Sequence, residues 1–362
     1  MQVHFLNMPI SNISVEAFVA LANTVPVLDV RSPGEYQHAH IPGAIAFPLF
    51  TNEERKIVGT AYKQQSREQA IKIGLAFFGP RMVQMVEQAE EISKNNDGSK
   101  HLLVHCWRGG MRSAAVAWLL SLYGFDIKVL TGGYKQFRHW ILQQFQLDYS
   151  FKVIGGYTGS GKTFVLEELK KAAQPIIDLE GIANHKGSAF GGINMLPQPS
   201  QEMFENLLAN ELFKIKATAG TQGIWIEDES QRIGKLNIPI YTWNCIRNSP
   251  IFFLEIEFEK RLQHIISGYA SGDKEKLVNA IIRIQKRLGG LETKTAINHL
   301  IDNDFKSGFG ILLHYYDKLY TKGLHSRDNL NTHLIRVPFD DVEPAAIAKK
   351  LVEEAGTEKT PA

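Results

Sequence analysis

Cysteine is scarce in this chain: only Cys106 and Cys245 occur among 362 residues. Two thiols make neither a disulfide framework nor a cysteine-rich metal site, so the chain suits a reducing compartment and Cys106 is expected to stay a free thiol. Long apolar runs are lacking too. The longest uncharged apolar stretch, Ala114–Phe125, is too short to cross a bilayer, and Met1–Phe18 has no basic start followed by an apolar segment. A soluble cytoplasmic protein without a membrane partner is the expectation. Charge of one sign is not in excess, since 40 basic and 38 acidic side chains leave a net charge of +2. Any RNA contact must then come from local patches. There is no internal repeat and no low-complexity tract.

Hydrophobic residues make up 44% of the chain, enough for two ordinary cores. Two glycine-rich loops give each core a candidate site: His105-Cys106-Trp107-Arg108-Gly109-Gly110-Met111-Arg112-Ser113, and Gly156-Tyr157-Thr158-Gly159-Ser160-Gly161-Lys162-Thr163. Short apolar runs at 25–30, 101–105 and 125–130 read as strands, and 113–123 and 134–147 as helices, the former stopped by Gly124. A second set of strands is expected at 151–154, 175–179, 223–226 and 251–256, with helices at 163–173 and 201–217 and a largely helical stretch over 258–288. The fold class is therefore α/β. A first domain over 1–148 precedes a P-loop NTPase-like parallel-sheet domain with a helical C-terminal part over 149–362. Basic residues recur at Lys260, Arg261, Lys274, Lys276, Arg283, Lys286 and Arg287, where a solvated face is the plain reading. Gly356–Ala362 is polar and expected to be loose.

Cys106 falls on a strand-to-helix turn, where inward N–H groups, a positive helix end and nearby guanidinium charge lower a thiol pKa. Gly109 and Gly110 would take positive φ and let the backbone approach a tetrahedral anion, and Arg112 would close over it bidentately. Ser113 adds a hydroxyl or caps the helix; Trp107, Arg108 and Met111 complete the loop. A core cysteine would need no Gly-Gly-x-Arg after it. Cys245 has no such neighbours and reads as structural.

The second loop satisfies the P-loop pattern in its strand-loop-helix context. The N–H groups from Gly159 through Ser160 and Gly161 to Thr163, together with Gly156 at the loop's start, would cradle a diphosphate that Lys162 neutralises. The Thr163 hydroxyl could hold Mg²⁺, with Glu227 or Asp228 at the end of the 223–226 strand completing the site. The run Asp178–Gly192 is too rich in glycine and polar groups for a core element, so a loop over the strand ends is expected, where Asp178, Asn184, His185 and Lys186 could meet phosphate. His314–Tyr320 offers either aromatic faces for base stacking or a packed helix face. No prosthetic group is implied.

Four separated signatures, Leu28-Asp29-Val30-Arg31-Ser32-Pro33-Gly34-Glu35-Tyr36, His40-Ile41-Pro42-Gly43-Ala44, the Cys106 loop and Thr131-Gly132-Gly133-Tyr134, resemble a rhodanese domain. That resemblance implies a chalcogen carried by Cys106, and Asp29 and Arg31 as supports of the fold rather than catalysts. The loop from Cys106 to Arg112 spans seven positions, longer than in common sulfurtransferases and equal to that of rhodanese-like phosphatases. A larger donor anion is the favoured reading; phosphatase chemistry stays open.

A rhodanese-like half joined to a P-loop half with Asp178-Leu179-Glu180-Gly181, Asn184-His185-Lys186-Gly187-Ser188 and Tyr315-Tyr316-Asp317 resembles the tRNA 2-selenouridine synthase family. The resemblance implies a transferase that replaces sulfur by selenium in wobble 2-thiouridine of tRNA. Its co-substrates would be geranyl diphosphate, for an S-geranylated intermediate, and selenophosphate. The alternatives are an ATP-dependent tRNA sulfurtransferase and a phosphatase or kinase acting on small phosphorylated molecules.

Overall fold

A computed structural model describes residues 10–218, 222–269 and 274–357. The chain separates into two compact units, Met1–Gln144 and Phe145–Ala362. In the first, β1 (Ile10–Ile13), β2 (Val27–Asp29), β3 (Ile45–Ala46), β4 (His101–His105) and β5 (Asp126–Leu130) form a parallel sheet in the order β1-β5-β4-β2-β3. Leu102, Leu103 and Val104 are consecutive and fully buried, as in a strand covered on both faces. Val116, Ala117 and Leu120 of the helix Met111–Leu122 share one core with Leu28, Val104 and Phe125. The expected helices over 113–123 and 134–147 lie at Met111–Leu122 and Gly133–Gln144.

Beyond β2, the Arg31 guanidinium grips Asp29, with Nε at 2.9 Å and Nη2 at 2.5 Å from its carboxylate oxygens. The same Nη2 donates to the Ala39 carbonyl at 2.7 Å, and the guanidinium lies 3.8 Å from the Tyr134 ring centre. Both residues are almost wholly buried, so the pair is a tie inside the fold. Burial pushes Asp29 up, yet His105 and Arg31 together hold it below the usual carboxylate range. Burial in turn brings His105 down to about 4 despite Asp29, so its imidazole is neutral at pH 7.

The second unit contains β6 (Phe151–Gly156), β7 (Ile176–Ile177), β8 (Ile224–Glu227), β9 (Arg232–Ile233), β10 (Leu236–Asn237), β11 (Ile251–Glu255) and β12 (Leu334–Pro338). Five are parallel, in the order β12-β11-β6-β8-β7, and β9 with β10 makes a small antiparallel hairpin. Ile154, Leu166, Trp225, Phe252 and Leu351 fill the sheet core. A separate helical core gathers Leu277, Ile281, Leu300, Phe309 and Leu312, and Phe190 from the 178–192 run packs into it. The strand β12 and the first strand β1 carried no clear apolar run and were not expected.

The stretch 258–288 forms two helices, Phe258–Tyr269 and Lys274–Leu288. One of its basic residues departs from the solvated reading: Arg261 is 3% exposed, because it binds Asp317 at 2.7 and 3.0 Å and the carbonyls of Ile256 and Thr158. Gly356 belongs to the helix Pro344–Thr357, and residues 358–362 of the polar C-terminal stretch lie outside the described residues. No helix among the described residues is long and apolar enough to cross a membrane.

Candidate functional site

Cys106 follows β4 directly, and its loop delivers the chain to the helix Met111–Leu122. Sγ accepts the Gly110 N–H at 3.4 Å and lies 3.3 Å from the Ser113 hydroxyl, which also reaches the Gly110 carbonyl at 3.0 Å. Burial raises the thiol pKa, but Ser113, the loop N–H groups and the Arg112 charge outweigh it and bring Cys106 below its ordinary value. Ser113 therefore acts as a partner of the thiol, and Gly110 occupies the helix cap. Gly109 takes φ +64°, whereas Gly110 stands at φ −106° and corrects the expectation of two left-handed glycines.

The Thr131–Tyr134 turn braces the loop from behind. Tyr134 N–H donates to the Cys106 carbonyl at 2.8 Å and Lys135 N–H to that of Trp107 at 3.0 Å. Gly133 has φ +59°, and a Cβ there would lie 2.4 Å from both the Cys106 carbonyl oxygen and the Gly109 nitrogen. Only glycine permits that approach. Trp107 and Met111 are exposed at 37% and 47%, and the Trp107 ring centre is 5.7 Å from that of Tyr134.

Arg112 is not a free clamp. Its Nη1 and Nη2 donate to Glu35 at 2.8 and 3.3 Å, and Arg55 approaches the same carboxylate at 3.5 Å. Glu35 also accepts the Ser32 N–H at 3.0 Å in a helix capping box. Burial raises its pKa, but Arg112, the Ser32 N–H and Arg55 overcome that and bring it down to about 2. Glu35 went unassigned in the sequence because a capping box explains a glutamate three residues after Ser32 without any reference to Arg112.

In the second unit, β6 enters the P-loop and the helix Lys162–Lys171 leaves it, with Gly161 at φ +75° at the helix start. Lys162 Nζ rests on the Gly156 carbonyl at 2.8 Å, and the Thr163 hydroxyl donates to Glu180 at 3.0 Å. Ser160 is fully buried with an unpartnered hydroxyl. Behind the loop, Gly156 N–H donates to the Tyr320 hydroxyl at 3.0 Å, and that hydroxyl donates to Asp228 at 2.6 Å. Arg327 binds the other Asp228 oxygen. Of the two acids proposed for a metal, Asp228 is thus committed to Tyr320 and Arg327, which removes it as a ligand.

Glu227 behaves otherwise. It is 1% exposed, and neither carboxylate oxygen has a hydrogen-bond partner. Burial, Glu180 and Asp178 push its pKa up to about 8, against the pull of Thr163 and Lys162. Glu229 is raised well above the usual range by burial, Glu180 and Glu227, and Glu180 is raised by burial. Three clustered carboxylates thus share the pull of Lys162. Among the described residues no three His, Cys, Asp or Glu side chains form a metal cage. Mg²⁺ needs no such cage where phosphate oxygens and water fill its shell, so Thr163 with Glu227 suits it as a donor set.

The run expected as one loop begins with a short helix, Leu179–Ala183. Asp178 caps it by accepting the Gly181 N–H at 2.7 Å, and Asn184 ends it in the left-handed region while donating to Pro197. Those two positions shape the chain. His185 is partly buried and its pKa is lowered by burial and Arg283, while Lys186 is exposed. The acid that reaches the P-loop from this segment is Glu180, which sequence reasoning gave no site role. The aromatic run is a packed face where it meets the site: Tyr316 lies 6.4 Å from Phe190 between ring centres, and Tyr320 sits under Lys162 at 5.8 Å.

Comparison with known proteins assigns both halves. Residues 14–139 match the rhodanese-like domain, and residues 149–337 match the tRNA 2-selenouridine synthase AAA domain. A tRNA 2-selenouridine synthase of Pseudomonas syringae pv. syringae is 35% identical over 333 residues, covering 82% of this chain and 88% of that protein. One from a Sulfurovum species is 34% identical with the same coverage of both chains. One from Nitrosomonas europaea is 36% identical over 248 residues, covering 67% of this chain and 63% of its own. With both loops lying inside these matches, the chain belongs to the tRNA 2-selenouridine synthase family.

Proposed function

We propose that this chain replaces the sulfur of wobble 2-thiouridine in tRNA by selenium, first alkylating the sulfur with geranyl diphosphate and then delivering selenium from selenophosphate. The observation that carries the reading is the lowered Cys106 thiol, held by Gly110 N–H and Ser113, in a chain that also carries a P-loop. Family membership supports it, because the relatives matched across both halves are named as tRNA 2-selenouridine synthases. A thiol of this kind suits the reducing cytoplasm.

In the first step the thiouridine sulfur attacks C1 of geranyl diphosphate. A C–S bond forms, the C–O bond to diphosphate breaks, and the N3 proton passes to solvent. Lys162 and the P-loop N–H groups take up the charge that develops on the departing diphosphate. Magnesium, when held by Thr163 and Glu227, would add positive charge there. The P-loop then serves diphosphate departure and needs no ATP hydrolysis.

In the second step selenophosphate docks in the cysteine loop, its oxygens met by the loop N–H groups and Arg112. Selenium adds at C2, the C2–S bond breaks and geranylthiol leaves with a proton. Water attack at phosphorus then splits the P–Se bond, giving phosphate and 2-selenouridine. Cys106 guides selenium to C2.

Mass analysis of nucleosides from treated tRNA tests the reading. S-geranyl-2-thiouridine should form with geranyl diphosphate alone, and 2-selenouridine only after selenophosphate is added. Obligatory ATP cleavage during conversion would shift the assignment to an ATP-dependent sulfurtransferase. Phosphate release without any change in the tRNA would shift it to a phosphatase or kinase.

A further inference from the structure

Beside the cysteine loop lies an open cavity of about 460 Å³, lined by Arg108, Gly132, Lys135, Gln136 and His139. Its walls are two elements already bound to one another. The helix Gly133–Gln144 turns Tyr134, Phe137, Trp140 and Ile141 inward and leaves Lys135, Gln136 and His139 exposed on its other side. Arg108 faces the same space from the cysteine loop, two residues beyond Cys106. The Lys135 N–H to Trp107 carbonyl bond, at 3.0 Å, fixes the helix start against the loop.

The chemistry of this cavity is one-sided. Its lining holds an arginine, a lysine, a histidine and an amide, with no carboxylate and no large apolar side chain. Arg112 faces Glu35 instead, whereas Arg108 and Lys135 are exposed to solvent. A pocket for a free small molecule is mostly apolar and buries its ligand. An open, cationic hollow is better matched to one section of a larger polyanion. Next to Arg108 in the chain, Trp107 is 37% exposed, and an exposed indole is the kind of group that receives an unstacked base in RNA recognition.

We infer that this cavity receives an RNA phosphodiester flanking the nucleotide presented to Cys106, with Arg108 and Lys135 countering its charge. The inference rests on the proposed tRNA substrate and adds where its backbone is gripped. A free donor anion shares the phosphate chemistry. In the proposed reaction it docks at the thiol, within the Cys106–Ser113 loop, which leaves the outer cavity to the RNA.

The test uses the full chain and tRNA bearing 2-thiouridine, with affinity measured over a series of KCl concentrations. Lys135→Gln and Lys135→Glu should weaken binding several-fold at low salt. Loss of one phosphate contact should flatten the slope of log affinity against log salt by about 0.7 to 0.9. Lys135→Arg should remain close to wild type, and the KM for selenophosphate at saturating tRNA should not change in any of the three. Unaltered tRNA affinity and salt slope in Lys135→Glu would overturn the inference. A raised selenophosphate KM with intact tRNA binding would overturn it too and give the cavity to the free donor. Production of 2-selenouridine by the wild-type chain is scored separately. If it fails while Lys135→Gln still loses tRNA affinity, the reaction is wrong and the cavity stands.

Discussion

Arg112 and Glu35 face one another through two hydrogen bonds, at 2.8 and 3.3 Å, although 77 positions separate them in the chain. The guanidinium whose charge helps lower the Cys106 thiol is thus held in place by a carboxylate that is already paired. Glu35→Gln removes that negative charge while keeping a polar side chain. We expect tighter capture of the donor anion, read as a lower selenophosphate KM, together with a loss of about 1–2 kcal/mol in urea unfolding at pH 7.

The pH dependence of that loss has a fixed sign. Glu35 is brought down to about 2 in the folded chain from a usual 4.5. Its contribution is therefore complete above about pH 4.5 and disappears as pH falls toward 2. Wild type and Glu35→Gln should differ in urea midpoint at pH 7 and converge near pH 2. Equal differences at both ends would show that the charge is not what stabilises.

Cys106 should react with iodoacetamide at lower pH than an ordinary thiol, because its pKa is lowered by Ser113, loop N–H groups and Arg112 against the effect of burial. Ser113→Ala should move the alkylation midpoint to higher pH. Cys106→Ala should leave S-geranylated tRNA accumulating without 2-selenouridine. If geranylation ceased equally, the two steps would not be divided between the two loops.

Lys162→Ala should act on the other step. Losing the cation beside the diphosphate is expected to slow geranylation by roughly 10²–10³-fold, measured as S-geranyl nucleoside per unit time. Selenation of tRNA that was geranylated beforehand should continue at the wild-type rate.

Tyr320 joins the P-loop to the helical part of its unit by accepting from Gly156 N–H and donating to Asp228. Tyr320→Phe leaves both groups without that partner, at a cost of about 1–3 kcal/mol in thermal or urea unfolding. Arg327→Ala should cost more, about 3–5 kcal/mol, because Asp228 is then a buried charge without its cation.

Both loops were legible because each needs glycines, a charged or nucleophilic residue and a strand-to-helix context within a few positions. The roles of Asp29 and Arg31 as supports of the fold came from the resemblance to a rhodanese domain, and the buried pair agrees with it. Long-range partners left no such trace. Glu35 sits far from Arg112, and Tyr320 is read in sequence as part of an amphipathic aromatic run, not as a neighbour of Gly156. Arg261 resembled its solvated basic neighbours until Asp317 was brought to it by the fold. Glu227 and Asp228 were equal candidates on adjacent positions. Strand alternation separates them, turning one toward Thr163 and the other toward Tyr320 and Arg327.

The fit of Gly133 beneath the cysteine loop bears on engineering. Grafting residues 105–113 onto another scaffold would transfer the reactive sulfur without the hairpin-tight floor that gives the loop its curvature. A working transplant has to carry the turn after β5 as well, and a library that randomises position 133 should yield thiols that are present but chemically ordinary.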